Sequence, residues 1–418
     1  MTVTNKNVFK DSRYICYVKQ PVKFLKPRLA KLDIELTERC NNRCIHCYIN
    51  QPENEPEIAA CEMSTVFVKD ILRQATELGC LTVRFTGGEP LLRKDFVDLY
   101  LYARRLGLRV AIYTNARLIT VKLAELFARI PPREPIEVSV YGMRPASYDQ
   151  VAAVPGAFEQ FWQGIILLRQ YRVPFIVKQS LLPQNRDELQ EFTAFAAAIP
   201  QMNGHNPGFT MNFDLRTRRD NEAKNRFIKR LRISPQDTLA MLTREPDKYI
   251  AEMREFARKF MRPSGDLLFC CGAGLGGACV DAYGQVQMCM LLRHPSTVYP
   301  LEISRSRQKK RQTKLSPLKY ALNEFFPRIR RIRAANPEYL NRCAVCFLKG
   351  LCEQCPAKSW QEHGTIDTPV EYLCQLAHTQ AAWLGLVSAG EKAWELSSES
   401  WQARLNAFIH GAAKGPLP

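Results

Sequence analysis

Three closely spaced cysteines are the residues of this chain best suited to carry chemistry. Cys40, Cys44 and Cys47 lie in the segment ELTERCNNRCIHCY, which follows the apolar stretch LAKLDIEL. Three thiolates on a short loop are one fewer than a structural zinc ion or a four-iron cluster takes. A four-iron cluster held by these cysteines would leave one iron open for a small molecule. A Cys3His zinc site with His46 is the alternative, although His46 adjoins Cys47 and would be strained as a ligand of the same ion.

The elements that position this loop follow from an alternation of short β-branched runs and helical patterns between residues 32 and 215. The predicted strands are KLDIEL, LTVRFTG, RVAIYTN, IEVSVYG, FIVKQSLL and FTMNFDL. Helical spacing of apolar residues lies between them, for example at 64–79, 94–107 and 157–171. This alternation predicts parallel βαβ units, arranged either as a partial barrel or as a doubly wound sheet.

Polar residues follow the predicted strands at the ends where parallel α/β folds bind ligands. The segment Thr86–Pro90 contains two glycines, which let the backbone approach a ligand, and a carboxylate that can accept hydrogen bonds from an ammonium group. Taken alone, this GGEP segment is more often a turn than a ligand site. The predicted site residues at the strand ends are Gly87, Gly88, Glu89, Asn115, Ser139 and Lys178.

A second group of cysteines lies in the C-terminal half. Eight of them, between residues 271 and 374, are enough for two fully ligated four-iron clusters. C-x2-C occurs twice among them, which is also zinc-ribbon spacing, so zinc is the alternative. We expect the remaining cysteines to be small buried hydrophobic residues; they are Cys16, Cys61, Cys80 and Cys270.

Composition narrows the class of protein. A length of 418 residues predicts two to three domains. The chain has no signal-like or membrane-spanning apolar run, so we expect a cytoplasmic protein. In that reducing compartment, 15 cysteines indicate metal or redox chemistry. The net charge is +18, with basic runs at 305–314 and 328–333. These runs indicate either a solvated face or a surface for an acidic partner, and no nucleic-acid-binding motif accompanies them.

The order of the motifs resembles the radical S-adenosylmethionine (radical SAM) enzyme superfamily over residues 32 to 215. That resemblance implies a partial (β/α)6 TIM-like barrel, a [4Fe-4S] cluster on Cys40, Cys44 and Cys47, and SAM bound through its amino and carboxylate groups at the open iron. It implies that Gly87, Gly88 and Glu89 contact the SAM amino group, with Asn115, Ser139 and Lys178 as further SAM contacts. The position before the third cysteine, aromatic in the commonest family form, is His46 here.

The C-terminal cysteines resemble a SPASM domain, an extension that carries two auxiliary [4Fe-4S] clusters. Its G-x4-C corresponds to Gly284 and Cys289, and its C-x2-C-x5-C to Cys343, Cys346 and Cys352; the next cysteine follows after two residues instead of three. The implied ligands of the first auxiliary cluster are Cys271, Cys279, Cys289 and Cys355, with Cys270 as an alternative to Cys271. The implied ligands of the second are Cys343, Cys346, Cys352 and Cys374.

The predicted domain order joins these interpretations. We expect a basic lead-in (1–31), a radical SAM core (32–220), a helical linker (221–265), the auxiliary-cluster domain (266–376) and a helical tail (377–418).

The resemblance implies modification of a ribosomally made peptide, with tetrapyrrole or other small-molecule chemistry as the alternative and a zinc-binding scaffold as the non-enzyme alternative. Sulfatase-maturing members carry a catalytic Asp directly after the G-x4-C cysteine, where this chain has Met290. The short lead-in predicts that any leader-peptide-binding module is a separate protein, and the electron donor would be a flavodoxin or ferredoxin. No residue is singled out as general base or hydrogen donor.

Overall fold

A computed structural model describes residues 28–203, 208–210, 213–302 and 315–411. Cys16, nearly all of the predicted lead-in and the basic run 305–314 lie outside the described residues. The described chain divides into two compact units, one formed by residues 28–232 and 273–327 and the other by 233–272 and 328–411.

The first unit is built on one large, mostly parallel sheet. Its strands have the order β11-β10-β9-β1-β4-β5-β6-β7-β8, and β9 through β1 to β8 run parallel. The strands are β1 (Lys31–Thr37), β2 (Arg39–Cys40), β3 (Gln51–Pro52), β4 (Thr82–Gly87), β5 (Arg109–Thr114), β6 (Ile136–Val140), β7 (Phe175–Ser180), β8 (Gly208–Thr210), β9 (Gly277–Val280), β10 (Gln285–Gln287) and β11 (Tyr299–Pro300). Because β1 and β4 to β8 are neighbours in chain order, the sheet winds in one direction, and the doubly wound alternative is wrong.

Helices connect the parallel strands and cover the sheet. Their bounds are α1 (Pro56–Cys61), α2 (Thr65–Glu77), α3 (Phe96–Arg105), α4 (Val121–Arg129), α5 (Pro145–Ala152), α6 (Ala157–Gln170), α7 (Leu189–Ala197), α8 (Glu222–Leu231), α9 (Pro235–Leu242), α10 (Pro246–Phe260), α11 (Pro317–Tyr320), α12 (Phe326–Ile329), α13 (Pro337–Asn341), α14 (Pro356–His363), α15 (Glu371–Trp383) and α16 (Ser398–Ile409). Shorter 3-10 turns lie at Pro90–Leu92, Arg186–Glu188, Pro200–Met202, Pro295–Thr297 and Phe347–Gly350, and a π-helical turn at Ala321–Phe325.

Helix α2 illustrates why the sequence forms these elements. The Ser64 hydroxyl accepts a hydrogen bond from the Phe67 amide (3.2 Å), so one of the free N–H groups of the first turn is satisfied. The helix buries Phe67, Val68, Ile71 and Leu72 on one face, at the spacing that a helix against a sheet requires.

The segment β9 to β11 adds to the sheet beyond β1. The richness in Cys and Gly, with little periodicity, predicts one small cysteine-rich domain over residues 266–376. In the structure, residues 273–327 belong to the first unit, because β9 pairs with β1 in parallel and β10 pairs with β9. These strands have two to four residues, too few to produce a recognisable alternation of apolar and polar side chains.

The second unit has a helical core formed by α10, α15, α16 and the turn at Phe347–Gly350. Buried side chains such as Met253, Phe256, Phe347 and Phe408 form one apolar cluster there. The predicted tail is helical in two pieces, α15 and α16. No single helix of the described chain is long and apolar enough to cross a membrane; α5 and α6, bent by 106°, meet that requirement only as a pair.

Candidate functional site

The glycine pair after β4 holds the segment that leads into the first cysteine loop. The Gly88 amide donates to the Thr37 carbonyl (2.7 Å) and the Glu89 amide to the Arg39 carbonyl (2.9 Å). A Cβ atom at Gly87 would lie 2.1 Å from the Thr37 oxygen, and one at Gly88 would lie 2.2 Å from the Arg39 oxygen. Gly87 also has a φ of +123°, which residues with side chains rarely adopt. Both glycines are therefore needed for the end of β4 to touch this segment.

Helix α5 holds the other side of the cysteine loop. The amides of Arg43 and Ile45, which flank the middle cysteine, donate to the carbonyls of Ala152 (2.9 Å) and Val151 (3.0 Å). These carbonyls belong to the last turn of α5, where helical C=O groups lack partners within the helix. The loop therefore satisfies the helix end while the helix fixes the loop.

Cys40 lies in a pocket of hydrogen-bond donors at the end of β5. Its sulfur accepts from the Asn42 amide (3.4 Å) and from the Asn115 side chain (3.7 Å). The Asn115 side chain also donates to Asn41 (2.7 Å), so it bridges the end of β5 to the cysteine loop. N–H donors of this kind stabilise a thiolate, which is the form that binds metal.

Cys44 is the most strongly buried of the three cysteines. Its burial, together with the neighbouring Cys47, raises the pKa of the Cys44 thiol to about 12, and a hydrogen bond from Tyr141 and the charge of Lys224 oppose that rise. The Lys224 ammonium donates to the Cys44 carbonyl (2.7 Å). Tyr141 directly follows β6 and Lys224 lies in α8, and the sequence motif indicated neither of them.

The buried polar atoms around the cysteine loop indicate whether its surroundings suit an iron–sulfur cluster. The Asn42 side-chain nitrogen and the Tyr148 hydroxyl are buried and have no partner among the described residues. Arg117, which can only donate, bonds the Asn42 oxygen, so the Asn42 nitrogen faces the other way. Three thiols on one loop, beside buried donors that have no partner among the described residues, match a sulfur-rich anionic group that accepts hydrogen bonds.

His46 fills the aromatic position of the loop. Its ring contacts those of Tyr141 and Phe213, with centroids 5.7 and 5.1 Å apart. Burial lowers the pKa of His46 to about 3, so the imidazole is neutral at physiological pH. In the described part of the chain, no three His, Cys, Asp or Glu side chains are grouped as they would be around a single metal ion.

Glu89 is fully buried, and three donors of the chain engage its carboxylate. The Leu91 amide (3.1 Å) and the Thr114 hydroxyl (2.9 Å) bond one oxygen, and the Asn115 amide (2.8 Å) bonds the other. Burial raises the pKa of Glu89 to about 7, although these hydrogen bonds act in the opposite direction. Glu89 therefore ties the end of β4 to the end of β5, a role that the sequence motif did not reveal.

We expect Glu89→Gln to destabilise the fold as well as to weaken SAM binding. In glutamine, an NH2 group replaces one of the two carboxylate oxygens, and both oxygens of Glu89 accept hydrogen bonds. The NH2 group would therefore face a donor, which lowers the free energy of unfolding by about 1–3 kcal/mol. Glu188→Gln is the matched control, since the Glu188 carboxylate is also buried and accepts from the Met143 amide (2.6 Å). Denaturant unfolding and equilibrium dialysis with SAM would separate the two roles. Equal SAM affinity in both variants would remove Glu89 from the SAM contacts and leave its structural role.

Ser139 and Lys178 lie next to each other on β6 and β7. They are registered partners in the parallel pair, and Ser139 is partly exposed while Lys178 is exposed. Within the described residues, no hydrogen bond joins either side chain to the cysteine loop. The structure thus groups Cys40, Glu89 and Asn115, and the roles of Ser139 and Lys178 as SAM contacts stay predictions.

Four C-terminal cysteines line one pocket of the second unit: Cys343, Cys346, Cys352 and Cys374. Cys374 accepts from the Arg342 guanidinium (3.6 Å), which stacks on Trp394 at 4.6 Å. The assignment of these four cysteines to the second auxiliary cluster stays a prediction, and Arg342 is a neighbour that spacing alone did not indicate.

Cys270 and Cys271 differ in how their thiols are used. The Cys270 thiol donates to the carbonyl of Leu267 (3.0 Å). Burial raises the pKa of the Cys355 thiol, and the nearby Cys271 raises it further. The choice of Cys271 over Cys270 as a cluster ligand stays a prediction.

Cys279 lies inside the extended sheet of the first unit. It is fully buried on β9, in register with Asp33 of β1 and Gln287 of β10. Burial raises the pKa of the Cys279 thiol well above its usual range, and Glu35 and Asp33 raise it further. Carboxylates disfavour the thiolate form, so its assignment as a cluster ligand stays a prediction.

A buried charge cluster joins β1 to the segment after β10. The Arg293 guanidinium bonds the carboxylates of Glu35 and Asp281, the latter at 3.2 Å. Arg218 bonds Asp281 (2.9 Å) and Glu38 (2.8 Å). Burial raises the pKa of Glu35 to about 7, and Arg293 opposes that rise. Since Glu38 precedes the cysteine loop by two residues, this cluster anchors the loop to the added strands.

Residues 34–196 match the model of the radical SAM superfamily. This part of the chain is a radical SAM domain. It contains the cysteine loop, the glycine pair with Glu89, and strands β1 to β7 with the helices between them. The family resemblance inferred from the motifs is thereby confirmed.

Relatives of the radical SAM domain differ in the reactions that their names state. An AdoMet-dependent heme synthase of Methanosarcina barkeri is 31% identical over 155 residues, which are 37% of this chain and 43% of that protein. A PqqA peptide cyclase of Gluconobacter oxydans is 32% identical over 165 residues, 40% of this chain and 45% of that protein. The chain thus spans less than half the length of the curated relatives it matches.

Solved structures extend the similarity of fold beyond the radical SAM domain. SuiB of Streptococcus suis, solved with bound S-adenosylmethionine, has a TM-score of 0.57 at 17% identity and covers 83% of this chain and 75% of its own. The anSMEcpe protein, solved with AdoMet and the Kp18Cys peptide, has a TM-score of 0.56 at 14% identity and covers 92% and 100%. At these identities the likeness concerns the fold alone.

Proposed function

We propose that this protein is an enzyme that reductively cleaves SAM and modifies a ribosomally synthesised peptide. The observation that carries the first half is the loop with Cys40, Cys44 and Cys47, which lies beside buried side-chain donors that have no partner among the described residues, inside a radical SAM domain. A four-iron cluster held by these three cysteines would supply the electron for reductive cleavage of SAM, and SAM would supply the 5′-deoxyadenosyl group that takes a hydrogen atom from the substrate.

The chain's own residues hold the reacting groups and exclude water. Cys40 and Cys44 are 9% and 4% exposed, and the loop between them is fixed by α5 on one side and by the glycine pair on the other. Rigid positioning and a dry site are the protein's share of such chemistry. Gly87, Gly88, Glu89 and Asn115 are the proposed SAM-side residues.

A peptide substrate is supported by two kinds of similarity. A relative of the domain carries the name PqqA peptide cyclase, and anSMEcpe was solved with a peptide bound. The net charge of +18 suits an acidic precursor. We propose that the modification is a crosslink, a thioether or an epimerisation. The proposed partners are a separate protein that binds the leader peptide and a flavodoxin or ferredoxin that donates electrons.

Co-expression with a candidate precursor peptide tests the substrate. We expect the peptide to lose two hydrogens on crosslinking, or to keep its mass with an inverted centre on epimerisation. Mass spectrometry with chiral amino-acid analysis distinguishes these results. The same enzyme is also purified and assayed for 5′-deoxyadenosine. If it forms this product while the co-expressed peptide is unchanged in both mass and chirality, the peptide assignment is contradicted.

Tetrapyrrole chemistry is the second candidate, because the heme synthase relative matches the same domain at comparable identity. Incubating the loaded enzyme with an iron tetrapyrrole carrying propionate side chains would show loss of carboxyl groups by mass spectrometry. The peptide proposal predicts no such change.

The C-terminal cysteines are proposed to hold two auxiliary [4Fe-4S] clusters. Three clusters correspond to about twelve irons per chain. Anaerobic iron and sulfide analysis decides between this proposal and a zinc-binding scaffold, which would contain zinc without sulfide.

A further inference from the structure

Tyr148 is a buried hydrogen-bond donor that the fold leaves unused. Its side chain is fully buried, and its hydroxyl has no partner within the described part of the chain. A buried hydroxyl without a hydrogen bond costs roughly 1–3 kcal/mol, which phenylalanine in the same place would avoid. A tyrosine at this position therefore indicates a partner that binds later.

The location of Tyr148 on α5 points to that partner. Val151 and Ala152, three and four residues further along the helix, accept the backbone bonds from the loop residues on either side of Cys44. Tyr148 therefore lies about one helical turn before the end of α5 that holds this loop. The ring of Tyr141 contacts both the Tyr148 ring (5.5 Å) and the ring of His46 (5.7 Å), which lies between Cys44 and Cys47, so Tyr148 is close to the cysteine loop.

Aromatic packing fixes the ring. The Tyr148 ring stacks on Phe161 (4.8 Å) and contacts Tyr141 (5.5 Å), whose own hydroxyl hydrogen-bonds the Cys44 thiol. The phenol of a buried tyrosine can serve such a partner as a neutral hydrogen-bond donor. The site thus presents two tyrosines to the Cys44 side of the loop, one already bonded and one unused.

We propose that the Tyr148 hydroxyl donates a hydrogen bond to a sulfur atom of the cluster bound by Cys40, Cys44 and Cys47, and thereby sets the cluster's reduction potential. This inference rests on the proposed function, since it requires a cluster on this loop. Reduction adds negative charge to the cluster, and a donor to its sulfurs stabilises that charge, so Tyr148 raises the potential. Tyr148 is a positioning and tuning residue and touches neither SAM nor substrate.

The test is Tyr148→Phe in the full chain, compared with Tyr100→Phe. Tyr100 is equally buried, but its hydroxyl is already used, because it donates to the Ile130 carbonyl. Both variants are titrated potentiometrically in the loaded form, with the EPR signal of the reduced SAM-binding cluster as readout, and both are unfolded in the cluster-free form.

We expect Tyr148→Phe to keep its iron, to shift the midpoint potential to a more negative value, and to be at least as stable as the wild type without the cluster. Tyr100→Phe should keep the wild-type potential and lose stability. An unchanged potential in Tyr148→Phe overturns the inference. So does a loss of cluster-free stability like that of Tyr100→Phe, or a failure to take up iron, since the hydroxyl would then serve the fold or the assembly of the cluster. A wild type without any signal from this cluster would instead refute the proposed function.

Discussion

Replacing Cys40, Cys44 and Cys47 together by alanine abolishes the formation of 5′-deoxyadenosine and leaves roughly eight of twelve irons bound. The reason is that these thiols are held at the carboxyl end of the parallel sheet, between the glycine pair and α5. The C-terminal cysteines are in different elements, so the proposed auxiliary clusters should survive.

Anaerobic reconstitution, iron analysis and chromatography of the SAM products check this expectation. Cys61→Ala is the control. The expectation that Cys61 is buried is wrong, because it is exposed at the end of α1, and it belongs to none of the proposed clusters. It should behave as the wild type. Undiminished 5′-deoxyadenosine from the triple variant would show that the loop does not hold the reactive cluster.

Gly88→Ala is expected to damage the site although it adds only one methyl group. Its Cβ would lie 2.2 Å from the Arg39 carbonyl oxygen and 2.6 Å from that of Glu38. Both are backbone atoms, so relief requires the segment before Cys40 to move. Overpacking of this kind costs about 1–3 kcal/mol of unfolding free energy, and the displaced segment should lower the iron content of the first cluster.

Gly276→Ala is the matched control for this substitution, since a Cβ there has no atom within 4 Å. Chemical unfolding of both cluster-free variants, followed by iron analysis after reconstitution, gives the comparison. A Gly88→Ala protein as stable as Gly276→Ala, with full iron, would mean that β4 does not support the cysteine loop in the way that the contacts indicate.

Local patterns allowed much of the radical SAM domain to be predicted. Alternating strands and helices gave β1 and β4 to β7 to within two residues at either end, because each strand is long enough to display its pattern. The position of the cysteine loop and of Glu89 at the strand ends followed from the topology. The contacts of Glu89 with Thr114 and Asn115 did not, since they depend on how closely β4 and β5 approach.

The added strands and the buried charges could not be predicted from the sequence. Nothing in the composition of residues 277–300 indicates that β9 pairs with β1, because the pairing joins segments some 240 residues apart and is set by tertiary packing. Arg293 reads as an ordinary basic residue in a basic chain, yet it is buried against Glu35 and Asp281. The burial of the Tyr148 hydroxyl, without a partner among the described residues, likewise becomes visible only in the folded structure.

The pairing of β9 with β1 also has a consequence for biosynthesis. At about 5–20 residues per second, β1 leaves the ribosome roughly 10–50 s before β9 exists. During that interval β1 is an open edge strand, and Glu35 has no Arg293 to neutralise it, although the final structure buries both. An exposed edge of this kind is a template for pairing with other chains. The nascent domain therefore stays incomplete, and dependent on protection from aggregation, until a segment from far downstream closes its sheet.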